Sequence, residues 1–82
     1  MPKIPRDVNG SDLCKFLSKY GYVITRQRSS HIRLSSNIMG KTHQITIPDH
    51  NPIKIGTLNF ILNDISDYLK IPKSNVIDEL KK

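Results

Sequence analysis

The sequence predicts an α+β fold in which helices cover one face of a three-stranded antiparallel sheet, in the order α-β-β-β-α with a short C-terminal helix. Two observations predict it. Apolar residues recur at helical spacing near both ends of the chain, and three short segments between them have the composition or the alternation of strands. The chain has 82 residues, 37% of them hydrophobic, which fits one small domain over residues 1–82.

The first helix follows a lead-in that contains Pro2 and is predicted over residues 11–20. Asn9 or Ser11 can accept hydrogen bonds from the free amides at its start, and Gly21 stands where a left-handed residue commonly ends a helix. The apolar positions that form one stripe of this helix are Leu13, Phe16, Leu17 and Tyr20.

Three strands are predicted over residues 22–28, 31–35 and 43–47. The first is rich in β-branched and aromatic residues, and the other two alternate between apolar and polar side chains. Pro48 lacks an amide proton and therefore ends the third strand. The side chains expected to face the core are Ile32, Leu34, Ile45 and Ile47.

A long helix follows the strands, Pro72 breaks it, and a short final helix ends near Lys81 and Lys82, which suit a helix C-terminus. The apolar stripe of the long helix consists of Leu58, Ile61, Leu62, Ile65 and Leu69. That of the final helix consists of Val76, Ile77 and Leu80. Helices at both ends of a meander cover one face of it, so the opposite face stays open. Alternation assigns His31 and Arg33 to that open face.

Basic residues concentrate in the first two thirds of the chain, which carries the whole formal net charge of +6. Residues 1–55 hold nine Lys and Arg against three acids, whereas residues 56–82 hold four of each. No carboxylate lies between Asp12 and Asp49. Such a one-signed segment favours a polyanionic partner. The alternative is a solvated basic face that keeps the domain soluble.

His31 is the first candidate for chemistry because imidazole can accept and release a proton near pH 7. Its basic and polar neighbours are Arg26, Arg28, Ser30 and Arg33. Guanidinium groups hold phosphate through paired hydrogen bonds and stabilise charge that grows on it. RNA supplies its own nucleophile, the 2′-hydroxyl, so one histidine and a few arginines can suffice without a metal. The alternative is that His31 only contacts a bound strand.

Lys54 lies just before Gly56 and Thr57, which open the long helix. The free amides at a helix start favour an anion, so Lys54 and those amides can together hold a phosphate. This signal is generic, because most helix starts bind only water.

The remaining histidines and the single cysteine are weaker candidates. His43 begins the third strand and is expected near the open face, and His50 lies in a turn where it can bond the backbone. Cys14 lies beside the apolar stripe of the first helix and is expected to be a small buried residue. Their spacing matches no metal-ligand pattern, so no metal or cofactor is expected. A single cysteine and the lack of long apolar runs favour a cytoplasmic protein.

Three segments resemble motifs of the HicA toxin family, in the same order and at similar spacing. They are Arg-Gln-Arg-Ser-Ser-His at 26–31, Ile-Thr-Ile-Pro-Asp-His at 45–50, and Ile-Gly-Thr-Leu-Asn-Phe-Ile-Leu at 55–62. The family has a basic strand leading to Gly-Ser-His, then Val-Pro-x-His, then Gly-Thr-Leu at a helix start. The resemblance implies a double-stranded-RNA-binding-like fold, an mRNA interferase that inhibits translation and growth, and a HicB antitoxin as partner. The family's catalytic histidine falls on His31.

Two positions depart from that pattern. Ser29 stands where the family usually has Gly, so a positive φ there would be less favourable in this chain. Ile32 stands where the family often has a second histidine or an aromatic residue, in agreement with the inward direction assigned to it.

Three functions therefore stand side by side. The first is a metal-independent endoribonuclease in which His31 is the acid–base group. In that reading the RNA-binding residues are Arg26, Arg28, Ser30, Arg33 and Lys54. The second is a non-catalytic RNA-binding module with the same basic face. The third is a protein-interaction role, in which the chain is the positive half of a complex with an acidic antitoxin.

Overall fold

The computed structural model describes residues 4–81, so Pro2 of the lead-in and Lys82 lie outside the described residues. It confirms the predicted α+β architecture. The elements in chain order are α1 (Gly10–Ser18), β1 (Val23–Arg28), β2 (His31–Ser36), β3 (His43–Pro48), α2 (Ile55–Leu69) and α3 (Lys73–Leu80).

Helix α1 begins at Gly10, one residue before the predicted start, and also ends earlier than predicted. The side chain of Asn9 accepts a hydrogen bond from a first-turn amide at 2.8 Å, as expected of a capping residue. The helix ends at Ser18, two residues before the predicted end, because the next amides bond to carbonyls three residues earlier, as in a 3₁₀-helix, instead of four. In one of these bonds the amide of Gly21 donates to the carbonyl of Ser18. Gly21 has a φ of +82°, the left-handed conformation predicted for it.

The sheet is an antiparallel meander in the order β1-β2-β3, so β1 and β3 are its edges. Helices α1 and α2 pack on one face of it. The four strand residues predicted to face the core are buried there: Ile32, Leu34, Ile45 and Ile47. The other face carries exposed polar and basic side chains from all three strands. This confirms one covered face and one open face.

The helical stripes predicted from spacing also form. All five apolar positions of α2 are buried, as are Val76 and Ile77 of α3, while Leu80 is half-buried against the same core. Pro72 stands at the N-cap position of α3 and separates the two helices, as predicted. Among residues 4–81, no helix is both long enough and apolar enough to cross a membrane.

Candidate functional site

The turn between β1 and β2 sets Arg28 and His31 side by side. Ser29 and Ser30 form this turn, and Ser29 has a φ of 44°, the sign that a type II′ hairpin turn requires at its first central residue. Cross-strand pairing places Arg28 directly opposite His31. The amide of Asp49 donates to the carbonyl of Ser30 over 2.7 Å, which ties the turn to the chain just after β3.

Two successive rows of cross-strand neighbours occupy the open face at this end of the sheet. One row consists of Arg26, Arg33 and Thr46, and the next of Arg28, His31 and Pro48. Residues directly opposite each other share a face of the sheet. A shallow depression, called the basic depression below, is lined by Arg26, Arg28, His31, Arg33 and Thr46. All five of its residues are exposed.

A β-bulge at Thr25 decides which way the arginines point. Ile24 pairs with Leu34, which faces the helices, whereas Arg26 pairs with Arg33 on the open face. In a regular strand, residues two apart share a face, so the irregular register between Ile24 and Arg26 reverses their relation. The hydroxyl of Thr25 donates to the carbonyl of Arg33 over 3.3 Å. Because of the bulge, Arg26 and Arg28, which share a face by ordinary alternation, lie on the open face with Arg33 and not on the face of Ile24.

The basic depression has one sign of charge, since no carboxylate is among its lining side chains. The nearest carboxylate along the chain belongs to Asp49, and one of its oxygens lies beside Gly10 at the start of α1. Guanidinium groups without a protein carboxylate keep their donors free for an external anion. A second depression, between the lead-in, α1 and α3, has lysines and acids in equal number and lacks this property. Its charged residues are Asp7, Asp12, Lys15, Lys19, Glu79 and Lys81.

Two of the predicted site residues lie outside the basic depression. Ser30 is half-buried within the hairpin turn, where its carbonyl accepts the hydrogen bond from Asp49. Lys54 is exposed at the N-cap of α2, which has no side-chain cap. Thr46, by contrast, lines the depression and was missed by the sequence analysis. Because Thr46 lies between the inward-facing Ile45 and Ile47, alternation indicates that it faces the open side. Its pairing with Arg33, however, depends on strand register.

The expectation that His43 lies near the open face is wrong. His43 pairs with the buried Ser36 and shares the strand parity of Ile45, so it lies on the covered side of the sheet. Its partner Ser36 is five residues along β2 from His31, which places the two histidines at opposite ends of the sheet, roughly 16 Å apart along the strand. His43 therefore cannot assist His31 in proton transfer.

His43 instead joins three elements. Its Nδ1 lies 2.6 Å from the hydroxyl of Tyr22, and its Nε2 lies 3.2 Å from a carboxylate oxygen of Asp64 in α2. The ring also stacks on Tyr68, with ring centroids 4.7 Å apart. A neutral imidazole satisfies both contacts when Nε2–H donates to Asp64 and Nδ1 accepts from Tyr22. Burial raises the pKa of Tyr22, with smaller contributions from Tyr68 and Asp64.

His50 and Cys14 also lie outside the basic depression. His50 is exposed, and its carbonyl accepts a hydrogen bond from the amide of Gly10 over 3.1 Å. Cys14 is buried in the core, as predicted. Burial, and to a lesser degree the charge of Asp49, raises the pKa of its thiol, which disfavours the nucleophilic thiolate. Within residues 4–81, no three His, Cys, Asp or Glu side chains cluster so as to hold a metal ion.

Comparison with known families supplies the class of protein. The family model described as the HicA toxin of bacterial toxin-antitoxin systems matches residues 10–66, well over half of the chain. The chain belongs to the HicA toxin family. The match spans α1, the whole sheet and most of α2, so the elements that form the basic depression all lie within it. Neither a search of curated proteins nor one of solved structures returned a significant match to this HicA-family chain.

Proposed function

We propose that this toxin is an endoribonuclease that cleaves mRNA, with His31 as the general acid–base group. The observation that carries the proposal is the single imidazole among three guanidinium groups in a depression with no lining carboxylate. A phosphodiester placed there would meet donors from Arg26, Arg28 and Arg33 on its non-bridging oxygens. Thr46, opposite Arg33, adds a hydroxyl on the same face.

The reaction that fits these groups uses the 2′-hydroxyl of the RNA as nucleophile. His31 accepts the proton of that hydroxyl while the 2′-oxygen attacks the adjacent phosphorus. The bond from phosphorus to the 5′-oxygen breaks, and that oxygen takes a proton from the imidazolium or from water. The products are a 2′,3′-cyclic phosphate and a 5′-hydroxyl. The arginines stabilise the charge that develops on the phosphoryl oxygens. This route therefore does not require a metal ion for that role.

Lys54 and Ser30 have a different place in this proposal. Both lie outside the basic depression, so they would contact phosphates further along the strand rather than the scissile one. The uncapped amides at the start of α2 support such a role for Lys54. Ser30 directly precedes His31 in the hairpin turn but does not line the basic depression.

The decisive experiment compares wild type with His31→Ala on a long single-stranded RNA in the presence of EDTA. We expect the variant to lose about 10²–10⁴-fold in cleavage rate, the usual range for general acid–base catalysis. We expect it to retain RNA binding, because the arginines remain. A strand with a single 2′-deoxy substitution should resist cleavage at that linkage alone. Undiminished cleavage by His31→Ala would refute the assignment.

The alternative function is a non-catalytic RNA-binding module. The observation that favours it is that no second acid–base side chain lines the basic depression within residues 4–81. This alternative predicts that the wild type binds RNA with the salt dependence of phosphate contacts but leaves it intact at every enzyme concentration.

As a toxin of a toxin–antitoxin system, the protein has an antitoxin for a partner, and we propose a HicB-like protein that occludes His31. An acidic inhibitor seated on the basic depression would block the imidazole and neutralise the arginines together. It should protect Arg26, Arg28 and His31 from chemical modification in the complex. Contacts confined to residues 56–82 would contradict this occlusion.

A further inference from the structure

The open face continues beyond the basic depression into an uncharged end. One row further along the strands, Val23 pairs with Ser35, and Ser35 with Gln44. Two aliphatic side chains are strongly exposed there, Val23 at 61% and Ile38 at 56%. They line one shallow depression together with Gly21, Ser35, Asn37 and Thr42. Val23 and Ile38 are called the apolar end below.

RNA binding does not explain why the two aliphatic side chains of the apolar end are exposed. Aliphatic side chains offer neither the positive charge that phosphates need nor the flat aromatic or guanidinium surface on which bases stack. The arginines and His31 lie on the neighbouring rows of the same face. The apolar end therefore adjoins the proposed nuclease site without serving its chemistry.

The size of the face limits what can cover it. Three strands of six residues, about 4.8 Å apart, present a surface of roughly 14 Å by 20 Å, or about 300 Å². A stable protein interface buries about 800 Å² on each partner. A protein that covers His31 in an interface of that size extends beyond the basic depression, and the adjoining row of the same face carries Val23, with Ile38 beside it.

We propose that the apolar end is the anchor for the antitoxin, whose surface places aliphatic groups on Val23 and Ile38 and acidic groups on the arginines. This inference rests on the proposed function in that the partner is an inhibitor of the site at His31. A second copy of this chain is a poor occupant, because it would bring two sets of three guanidinium groups into one interface. Apolar contacts at the anchor add to the affinity of the antitoxin, whereas RNA, which binds through charge, gains nothing from them.

The test is the double variant Val23→Thr/Ile38→Thr, assayed against the purified HicB-like antitoxin of this toxin. Calorimetry should show a loss of affinity of about tenfold or more, as expected when central apolar contacts are removed from an interface. Cleavage of a mixed-sequence single-stranded RNA should stay within twofold of wild type. The matched control is Ile24→Thr, the same kind of change at a residue 53% exposed that pairs with Leu34 on the other side of the sheet. It should leave the affinity unchanged.

Two results would overturn the proposal: unchanged affinity of the double variant, or a KM for RNA that rises as much as the antitoxin affinity falls. If neither wild type nor variant cleaves RNA, the proposed nuclease function fails, while the calorimetric comparison still decides the anchor. Both substituted residues are exposed, and circular dichroism verifies that the variant is folded. Should the strand substitution unfold the protein, Ile38→Thr in the β2–β3 loop alone provides the same comparison.

Discussion

Ile24 and Arg26 lie two residues apart in β1, yet they pair with residues on opposite faces of the sheet. Ile24 faces the helix side opposite Leu34, and Arg26 faces the open side opposite Arg33. The bulge at Thr25 makes this possible, because it adds one residue to one strand only. In a regular strand Arg26 and Arg28 would share a face with Ile24, whereas with the bulge both arginines line the same depression as His31.

Replacing Arg28 or Arg33 with Gln should weaken RNA binding and flatten its salt dependence. Each guanidinium that contacts a phosphate of a single strand contributes about 0.7 to the slope of log affinity against log salt. Fluorescence anisotropy with a 2′-O-methyl strand, which lacks the nucleophile, measures the slope at several salt concentrations without cleavage.

Lys15→Gln is the control for that loss of charge. Lys15 is exposed on α1, in the helical layer on the other side of the sheet. Its variant should keep the wild-type slope. A slope that does not change in either arginine variant would place RNA elsewhere on the molecule.

Ser29→Gly should raise the free energy of unfolding by about 0.5–1 kcal/mol. The left-handed φ of Ser29 costs an L-residue about 1–2 kcal/mol, partly offset by the greater chain entropy that Gly loses on folding. Ser30→Gly is the control. Because Ser30 has no positive φ, glycine there relieves no strain, and the free energy of unfolding should only fall. Urea unfolding measures both, and a less stable Ser29→Gly protein would argue against strain in the turn.

At high pH the free energy of unfolding should fall more steeply in the wild type than in Tyr22→Phe. Burial raises the pKa of Tyr22 in the folded protein, so the folded state keeps this proton longer than the unfolded state does. The contribution of neutral Tyr22 is complete below the ordinary tyrosine pKa of about 10 and is lost as the pH rises above it, by up to about 1.4 kcal/mol per pH unit.

Urea unfolding of both proteins at pH 8, 9, 10 and 11 tests this difference. All other titrating groups are common to the two chains and cancel in the comparison. A stability gap that stays constant across this range would mean that the Tyr22 phenol ionises in the folded protein as easily as in the unfolded one.

His43→Gln should destabilise the fold without abolishing cleavage. The change removes the stacked ring beside Tyr68 and disturbs the hydrogen bond of the buried Tyr22 hydroxyl, at a cost of about 1–3 kcal/mol. Because His43 lies at the far end of the sheet from His31, the cleavage rate of the folded fraction should stay within a few-fold of wild type. A loss of cleavage as large as that of His31→Ala, in protein shown to be folded, would contradict the separation of the two histidines.

Much of the fold could be predicted from the sequence because its signals are local. The stripe that starts at Leu58 and the alternation around Ile32 and Ile45 each depend on residues a few positions apart, and all three are buried as predicted. The end of α1 was placed too late because Tyr20 continues the apolar spacing. Tyr20 is nonetheless partly buried against the core from a turn, which periodicity cannot distinguish from a last helical turn.

The candidate site was predictable only in part. Alternation within one strand assigned His31 and Arg33 to the open face, and both lie there. Thr46 was missed because its place beside Arg33 follows from the register between strands. His43 was misplaced although the parity that it shares with Ile45 already indicates the covered side. Only its contacts with Tyr22 and Asp64, 21 positions before and after it, depend on the tertiary structure.

The sequence by itself determined the elements, the one-signed basic segment and the outward direction of His31, since each follows from periodicity or charge along a short stretch of chain. The tertiary structure alone decided that Arg26 and Arg28 lie on the opposite face of the sheet from Ile24 and that His43 contacts Tyr22 and Asp64. The first outcome depends on where a bulge falls, and the second on how the sheet packs against its helices. Pairing is set by packing of the whole sheet against its helices, which no local pattern encodes.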